Sequence, residues 1–289
     1  MTDLIEITSG ALTAAINPLG AELTSLRDVD GRELMTNADP AFWTGHAPIL
    51  FPIVGRLNGD TLRIDGASYE MKQHGFARHK TFDVVERAAD SVLFRLTANE
   101  ETRRAYPFDF MLEVRFTLNG ATLAIDVRIA NPGAAVLPAS LGFHPAFAWP
   151  LPYGAARADH RIIFDADEAG EIEQLDGGLF AAKRPSPLDG RTLHLTDDLF
   201  AEDALIWDPV KSQSVTYGPL TGPNLRIDFP DTPYLGVWTR PGARFVCVEP
   251  WHGHADPAGF TGDFRDKPGV FEIAPGDDWR CSIAITLTA

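Results

Sequence analysis

Cysteine is nearly absent: two residues in a chain of 289 are too few for a disulfide framework. Both, Cys247 and Cys281, fall inside β-favouring runs, so buried thiols in a reducing, cytoplasmic setting are expected. Long apolar runs are lacking as well. No stretch approaches the ~20 residues of a membrane-spanning helix, and the start, MTDLIEITSG, carries acids where a secretory signal has its apolar core. Positive charge is scarce, 25 Lys and Arg against 40 Asp and Glu, for a net charge of -15. That balance argues against nucleic acid and anionic membranes, which are bound by positive surface. A small molecule remains as the expected partner class. Helical signal is confined to Asn99-Tyr106 and Asp39-Trp43, with Asn99 and Asp39 as N-caps.

What fills the chain is β pattern. Ile5-Ile7 and Leu12-Ile16 flank Ser9-Gly10, and Leu62-Ile64 and Tyr69-Met71 flank Asp65-Gly66, each pair reading as two strands about a turn. Leu112-Leu118 and Thr122-Ile129 flank Asn119-Gly120, a dipeptide suited to the positive φ angles of a tight hairpin. Similar runs follow at Phe82-Glu86, Val92-Thr97, Arg161-Phe164, Val215-Tyr217, Leu225-Phe229, Phe245-Val248 and Cys281-Leu287. The expected fold is all-β, a large antiparallel β-sandwich with very few short helices. Its 22 Pro and 25 Gly are dispersed rather than gathered into a linker, so residues 1–289 are read as one domain. Pro150-Asp159 and Ala166-Asp198 read as surface loops, and there is no internal repeat.

Four stretches set polar groups at the ends of apolar runs. In Arg244-Asp256, RFVCVEPWHGHAD, the strand-like Phe245-Val248 delivers Glu249 into a proline, which favours extended geometry and fixes the direction of the carboxylate. Pro48-Leu57, PILFPIVGRL, is apolar apart from Arg56. Gln73-Arg78, QHGFAR, puts His74 beside Gly75 with Arg78 four residues on, and Leu141-Phe147, LGFHPAF, encloses His144 among apolar residues. An imidazole so enclosed is either a satisfied core residue or a tuned acid. The histidines His46, His79, His160 and His194 are read as core residues.

HGFAR at His74-Arg78, GFHPAF at Gly142-Phe147 and VCVEPWHGHAD at Val246-Asp256, in that order, resemble the aldose 1-epimerase, or galactose mutarotase-like, family. PILFPIVGRL and PLGAELTSL at Pro18-Leu26 also fit, so the resemblance runs from about Asn17 to the C-terminus. It implies a supersandwich with a sugar cleft, His144 matching the general acid, Glu249 the general base, and Arg56, His74 and Arg78 positions that line the sugar site. Asp203 falls where the family places a hydroxyl-binding acid, and Trp251, Trp238 or Phe143 suits the apolar face of a pyranose. Two departures, Gly55 where Asn is usual and Gly75-Phe76 where two glycines are common, bring the chain closer to the bacterial, less characterised branch.

The residue types suit the chemistry in their own right. Interconverting anomers requires a base for the C1 hydroxyl and an acid for the ring oxygen, expected on different sides of the sugar, with neither metal nor cofactor. Arg56 or Arg78 is expected to favour the charged form of Glu249, and Glu249 to keep His144 protonated. The expected function is thus aldose 1-epimerase on a hexose or related sugar, as a monomer or homodimer. Three alternatives compete: a sugar-binding or sensing protein of the same fold, a hexose-6-phosphate 1-epimerase, and a cupin-like isomerase with a metal on His252, His254 and Asp256, with Glu249 as an optional further ligand.

Overall fold

The computed structural model describes residues 4–230 and 232–289. Two large antiparallel sheets face each other across the main core. The first has nine strands, from Thr192–His194 at one edge to Asp83–Arg87 at the other. At its centre Thr122–Ala130 pairs with both Met111–Asn119 and Asp278–Thr288. The second has eight strands and carries the site. Its order is Leu179–Pro185, Glu171–Asp176, Leu205–Trp207, Tyr234–Trp238, Phe245–His252, Leu141–Phe143 and Ile49–Leu50, with Ala146–Ala148 also pairing on Phe245–His252.

The alternation of side chains along each strand explains the layering. Phe94, Phe116, Ile125 and Ile283 of the first sheet meet Trp207, Leu235, Val246 and Val248 of the second in one continuous core. The expectation of a mostly β, antiparallel fold holds, and among the described residues the only α-helix is Glu100–Ala105. That helix is capped as expected: Thr102 N–H donates to Asn99 Oδ1, and Asn99 N–H donates back to Thr102 Oγ1. No helix among the described residues is long and apolar enough to cross a membrane.

Two expectations are corrected, those for the Asn119-Gly120 turn and the Ala166-Asp198 loop. Asn119 is still paired, opposite Thr122, so the hairpin turns on Gly120-Ala121, with Gly120 supplying the positive φ of 56°. Residues 39–43 form the single turn expected of them, with the N–H groups of Phe42 and Trp43 both on the Asp39 carbonyl and the Ala41 N–H on Asp39 Oδ1. The Ala166-Asp198 region is not all loop, because Glu171–Asp176 and Leu179–Pro185 form a hairpin at the edge of the second sheet and Thr192–His194 an edge strand of the first. The hairpin is rich in charged and small residues because most of its positions are not fully buried, and so it lacks the apolar alternation of an inner strand.

Candidate functional site

Alternation along Phe245–His252 decides where Glu249 points. Val246 and Val248 enter the main core, while Phe245, Cys247 and Trp251 belong to smaller clusters on the outer face of the sheet. Glu249 stands two residues from Cys247 and two from Trp251, and it opens onto a cleft of about 970 Å³ on that same face.

The neighbouring chain supplies its partner. Gly142 is paired with Trp251 and Ala146 with Cys247, so counting inward from either pair sets His144 opposite Glu249. Pro145 and Pro250 have no N–H to give, so the ladder is interrupted between those pairs. The Val248 N–H still reaches the Pro145 carbonyl at 3.2 Å. This register brings His144 Nε2 to 3.2 Å from Glu249 Oε2, both side chains being buried. The expected acid and base are therefore in mutual contact rather than on different sides of the cleft.

Aromatic rings frame the pair. The indole of Trp251 fills space left by glycines on both adjoining strands: a Cβ on Gly142 would lie 2.7 Å from it, and one on Gly236 2.6 Å. Trp43 stacks on His144 with centroids 4.9 Å apart, and Trp238 meets the same imidazole edge-on at 5.8 Å. Phe143, weighed above as a sugar platform, instead faces the main core.

His74 joins from the Gln73-Arg78 stretch, its ring edge-on to His144 at 5.7 Å. The Gly55 N–H donates to His74 Nδ1 at 3.2 Å, which assigns the proton of a neutral imidazole to Nε2, beside the Gln73 amide. The turn that presents His74 depends on Gly75, with φ of 69° and a Cβ position only 2.3 Å from the Phe51 carbonyl oxygen. Arg78 lies partly buried along the cleft, with Nη2 donating to the Gln73 carbonyl at 2.9 Å. Asp203 also lines the cleft, at a positive φ of 78°, and its Oδ1 accepts the Ala204 N–H.

Arg56 is placed differently from the expectation. Its Nε donates to Asp60 at 2.9 Å and its Nη1 to the Gly177 carbonyl at 3.1 Å, which clasps the Gly177-Gly178 turn from outside. At that position the cleft is lined by Gly55.

Electrostatics also differ from expectation. Burial pushes the Glu249 carboxyl well above the ordinary carboxylate range, and the Asp203 charge adds to this; the nearby Trp251 indole opposes it weakly, its N–H having no hydrogen bond of good geometry. Burial likewise drives His144 down to about 3, with Arg78 adding to the shift and only its own backbone opposing it. His74 is driven well below the usual histidine value by burial, then by His144 and Arg78. Neither arginine is among the influences on Glu249; desolvation is the largest on both partners and favours the neutral form of each.

The remaining histidines are dispersed. Gly253, at φ of 118°, turns the chain so that His252 packs edge-on to Trp279 at 4.7 Å while His254 stacks on Phe180 at 4.6 Å. The metal geometry weighed for His252, His254 and Asp256 is thus not formed. Of the four histidines read as core, only His160 is buried, held by Leu151 N–H and the Ala156 carbonyl. A second groove, of about 820 Å³, crosses the outer face of the nine-stranded sheet. Its charges neutralise one another, with Arg95 and Arg128 both on Glu113.

Trp43 and the hairpin residues Gln174 and Phe180 line the cleft without having been singled out in the sequence. The Asp39 cap signal was the one trace of the Trp43 turn.

Comparison with known proteins bears on the family and the fold. The family model described as Aldose 1-epimerase matches residues 3–265. Protein LacX of Lactococcus lactis subsp. lactis, in its plasmid form, is 34% identical, covering 98% of this chain and 99% of its own. The structure of a galactose mutarotase related enzyme from Lactobacillus acidophilus matches with a TM-score of 0.94 at 30% identity, over 99% of this chain and 98% of that one. A galactose mutarotase-like protein from Lactobacillus casei ATCC 334 matches with a TM-score of 0.92 at 31% identity, over 99% of this chain and 100% of that one. With this fold, and with a family match spanning nearly its whole length, the chain belongs to the aldose 1-epimerase family.

Proposed function

We propose that the protein is an aldose 1-epimerase that interconverts the anomers of a hexose or related sugar, with Glu249 as base and His144 as acid. The observation that carries this reading is the 3.2 Å contact between His144 Nε2 and Glu249 Oε2 at the floor of an aromatic cleft. The C1 hydroxyl and the ring oxygen of an aldose are bonded to the same carbon. An acid and a base in contact with each other can therefore reach both.

In the forward step Glu249 takes the hydroxyl proton of C1 as His144 protonates the ring oxygen, and the bond from C1 to the ring oxygen breaks to leave an open-chain aldehyde. Rotation about C1–C2 turns the other face of the carbonyl inward, and the reverse proton transfers close the ring. Once the ring is open the pair is a protonated carboxyl beside a neutral imidazole, the form that burial favours. The sugar hydroxyls supply the polar partners that favour the charged form at the start. His74 Nε2–H, Arg78 and Asp203 are assigned to sugar hydroxyls, and Trp251 and Trp238 to the apolar sugar face.

The test is polarimetry of freshly dissolved α-anomers of glucose and galactose. Wild type accelerates relaxation and Glu249→Gln lowers the rate by ~10²–10⁴, the ordinary worth of a positioned proton transfer. Full activity in Glu249→Gln overturns the assignment of the base. Sugar binding without acceleration by wild type would favour a sensing role instead. A hexose 6-phosphate is the second reading, favoured by the Arg78 guanidinium, whose Nε is buried without a hydrogen-bond partner. A preference for glucose 6-phosphate that Arg78→Met abolishes would establish it.

A further inference from the structure

Cys247 has no part in the proton transfers, yet it stands on the cleft side of the same strand as Glu249, two residues away, beneath Trp43 and Trp238. Its partners across the two adjoining strands are Ala146 and Trp238. The His144 ring nitrogen, the Cys247 sulfur and a Glu249 oxygen all lie within 4.8 Å of one another, and all three residues are buried.

We propose that His144, Cys247 and Glu249 form a binding site for a thiophilic divalent cation of the Zn²⁺ class, and that the bound ion excludes sugar. One nitrogen, one sulfur and one carboxylate oxygen with a fourth position open to a cleft is the donor set of an open, tetrahedral Zn²⁺ site. Donors around such an ion stand roughly 3.5 Å apart. The His144 to Glu249 separation of 3.2 Å is already near that, and the sulfur lies within 4.8 Å of both other donors. A thiolate ligand selects against Mg²⁺ and Ca²⁺, which prefer oxygen.

Charge balance favours the exchange. The ion enters as a dication; the S–H bond of Cys247 and the O–H bond of Glu249 break, and both protons leave to solvent. Bonds from the metal to sulfur, oxygen and the imidazole nitrogen form with no change of oxidation state. The buried site gains no net charge, so the penalty that normally opposes placing an ion in a protein interior is largely absent.

Binding is independent of the proposed reaction, whereas the exclusion of sugar rests on the epimerase reading. The experiment adds Co²⁺ to the purified full chain and follows thiolate-to-metal absorption in the near ultraviolet, then measures Zn²⁺ affinity by calorimetry with Mg²⁺ as control. Wild type develops the thiolate band at one equivalent. Cys247→Ala and Cys247→Ser, checked for native melting, lack the band and bind Zn²⁺ weaker by ~100-fold or more. A missing band in wild type, or unchanged Zn²⁺ affinity in both variants, overturns the site. Mutarotation by wild type then falls with added Zn²⁺ and recovers as sugar is raised, while the Cys247 variants resist. Inhibition that sugar does not relieve overturns the exclusion. A thiolate band in a protein that accelerates no sugar would confirm the site and refute the epimerase reading, so the two failures are distinct.

Discussion

Gly236 is paired with Glu249 across the sheet and lies beneath the ring of Trp251, so close that a Cβ at position 236 would sit 2.6 Å from the indole. The neighbour of the proposed base is thus required to be a residue without a side chain. Gly236→Ala must tilt Trp251 toward the cleft or push the strands apart, at ~1–3 kcal/mol of stability by the usual cost of overpacking. Thermal melting registers the loss. Because Trp251 is assigned to the sugar face, KM rises more than kcat falls. A variant with native stability and native KM would remove Trp251 from the binding floor.

The two arginines separate two meanings of a charged residue near an apolar run. Arg56 is bonded to Asp60 and the Gly177 carbonyl, with its side chain 44% exposed. Arg56→Met therefore leaves kcat/KM within about twofold and changes stability by ~0–1 kcal/mol, the range of a surface ion pair. Arg78 lies along the cleft, and its charge reaches both His74 and His144. Arg78→Met lowers kcat/KM by about tenfold or more, the loss of a charge-assisted contact. Steady-state kinetics on the two variants decides between them, and the reverse ranking would move the sugar toward Arg56.

Trp43 acts through His144. Its ring covers the imidazole at 4.9 Å and keeps water from one face. Trp43→Ala frees the imidazole to rotate, and kcat falls by about tenfold while KM changes less, because orientation rather than affinity is lost. Trp43→Phe retains a flat ring and recovers most of the rate. Equal losses in both variants would argue for a contact specific to the indole.

How far the sequence discloses this site depends on how local each feature is. Glu249 was legible because a β-favouring run and a proline fix its direction within six residues. That His144 stands opposite it was not, since the register joins segments about a hundred residues apart through pairs on either side of Pro145 and Pro250. The residue type of Arg56 suggested a ligand contact, but its direction is set by Asp60 and the Gly177-Gly178 turn, which no local pattern relates to it. The edge hairpin Glu171–Pro185 escaped because its exposed positions carry the charged and small residues of a loop. Cys247 was read correctly as a buried thiol in a strand; its nearness to His144 is a tertiary fact.

Behind the cleft, Lys267 gives a prediction about stability. It is buried, its Nζ donates to the His254 carbonyl, and it stands 3.5 Å from Asp256, whose other oxygen accepts the Asn58 N–H. These contacts tie the Gly253-Pro257 segment to the Gly55-Asn58 segment, and Ala255 and Gly55 both line the cleft. Asp256 and His254 are the titratable groups facing the amine, and the Phe264 ring lies 5.9 Å away. Burial lowers the lysine from its ordinary 10.5 to about 8, with Asp256 resisting. Below that value folded and unfolded chains both carry the proton. Between about 8 and 10.5 the unfolded chain holds a proton that the folded one has released, so the contribution of Lys267 to stability rises with pH. Lys267→Met removes this dependence and leaves Asp256 buried without its cation, at ~3–5 kcal/mol. Melting temperatures of wild type and variant, compared from about pH 7.5 to about pH 10, should diverge further in favour of wild type. A gap that stays constant or narrows over that range would mean that Lys267 keeps its proton in the folded protein.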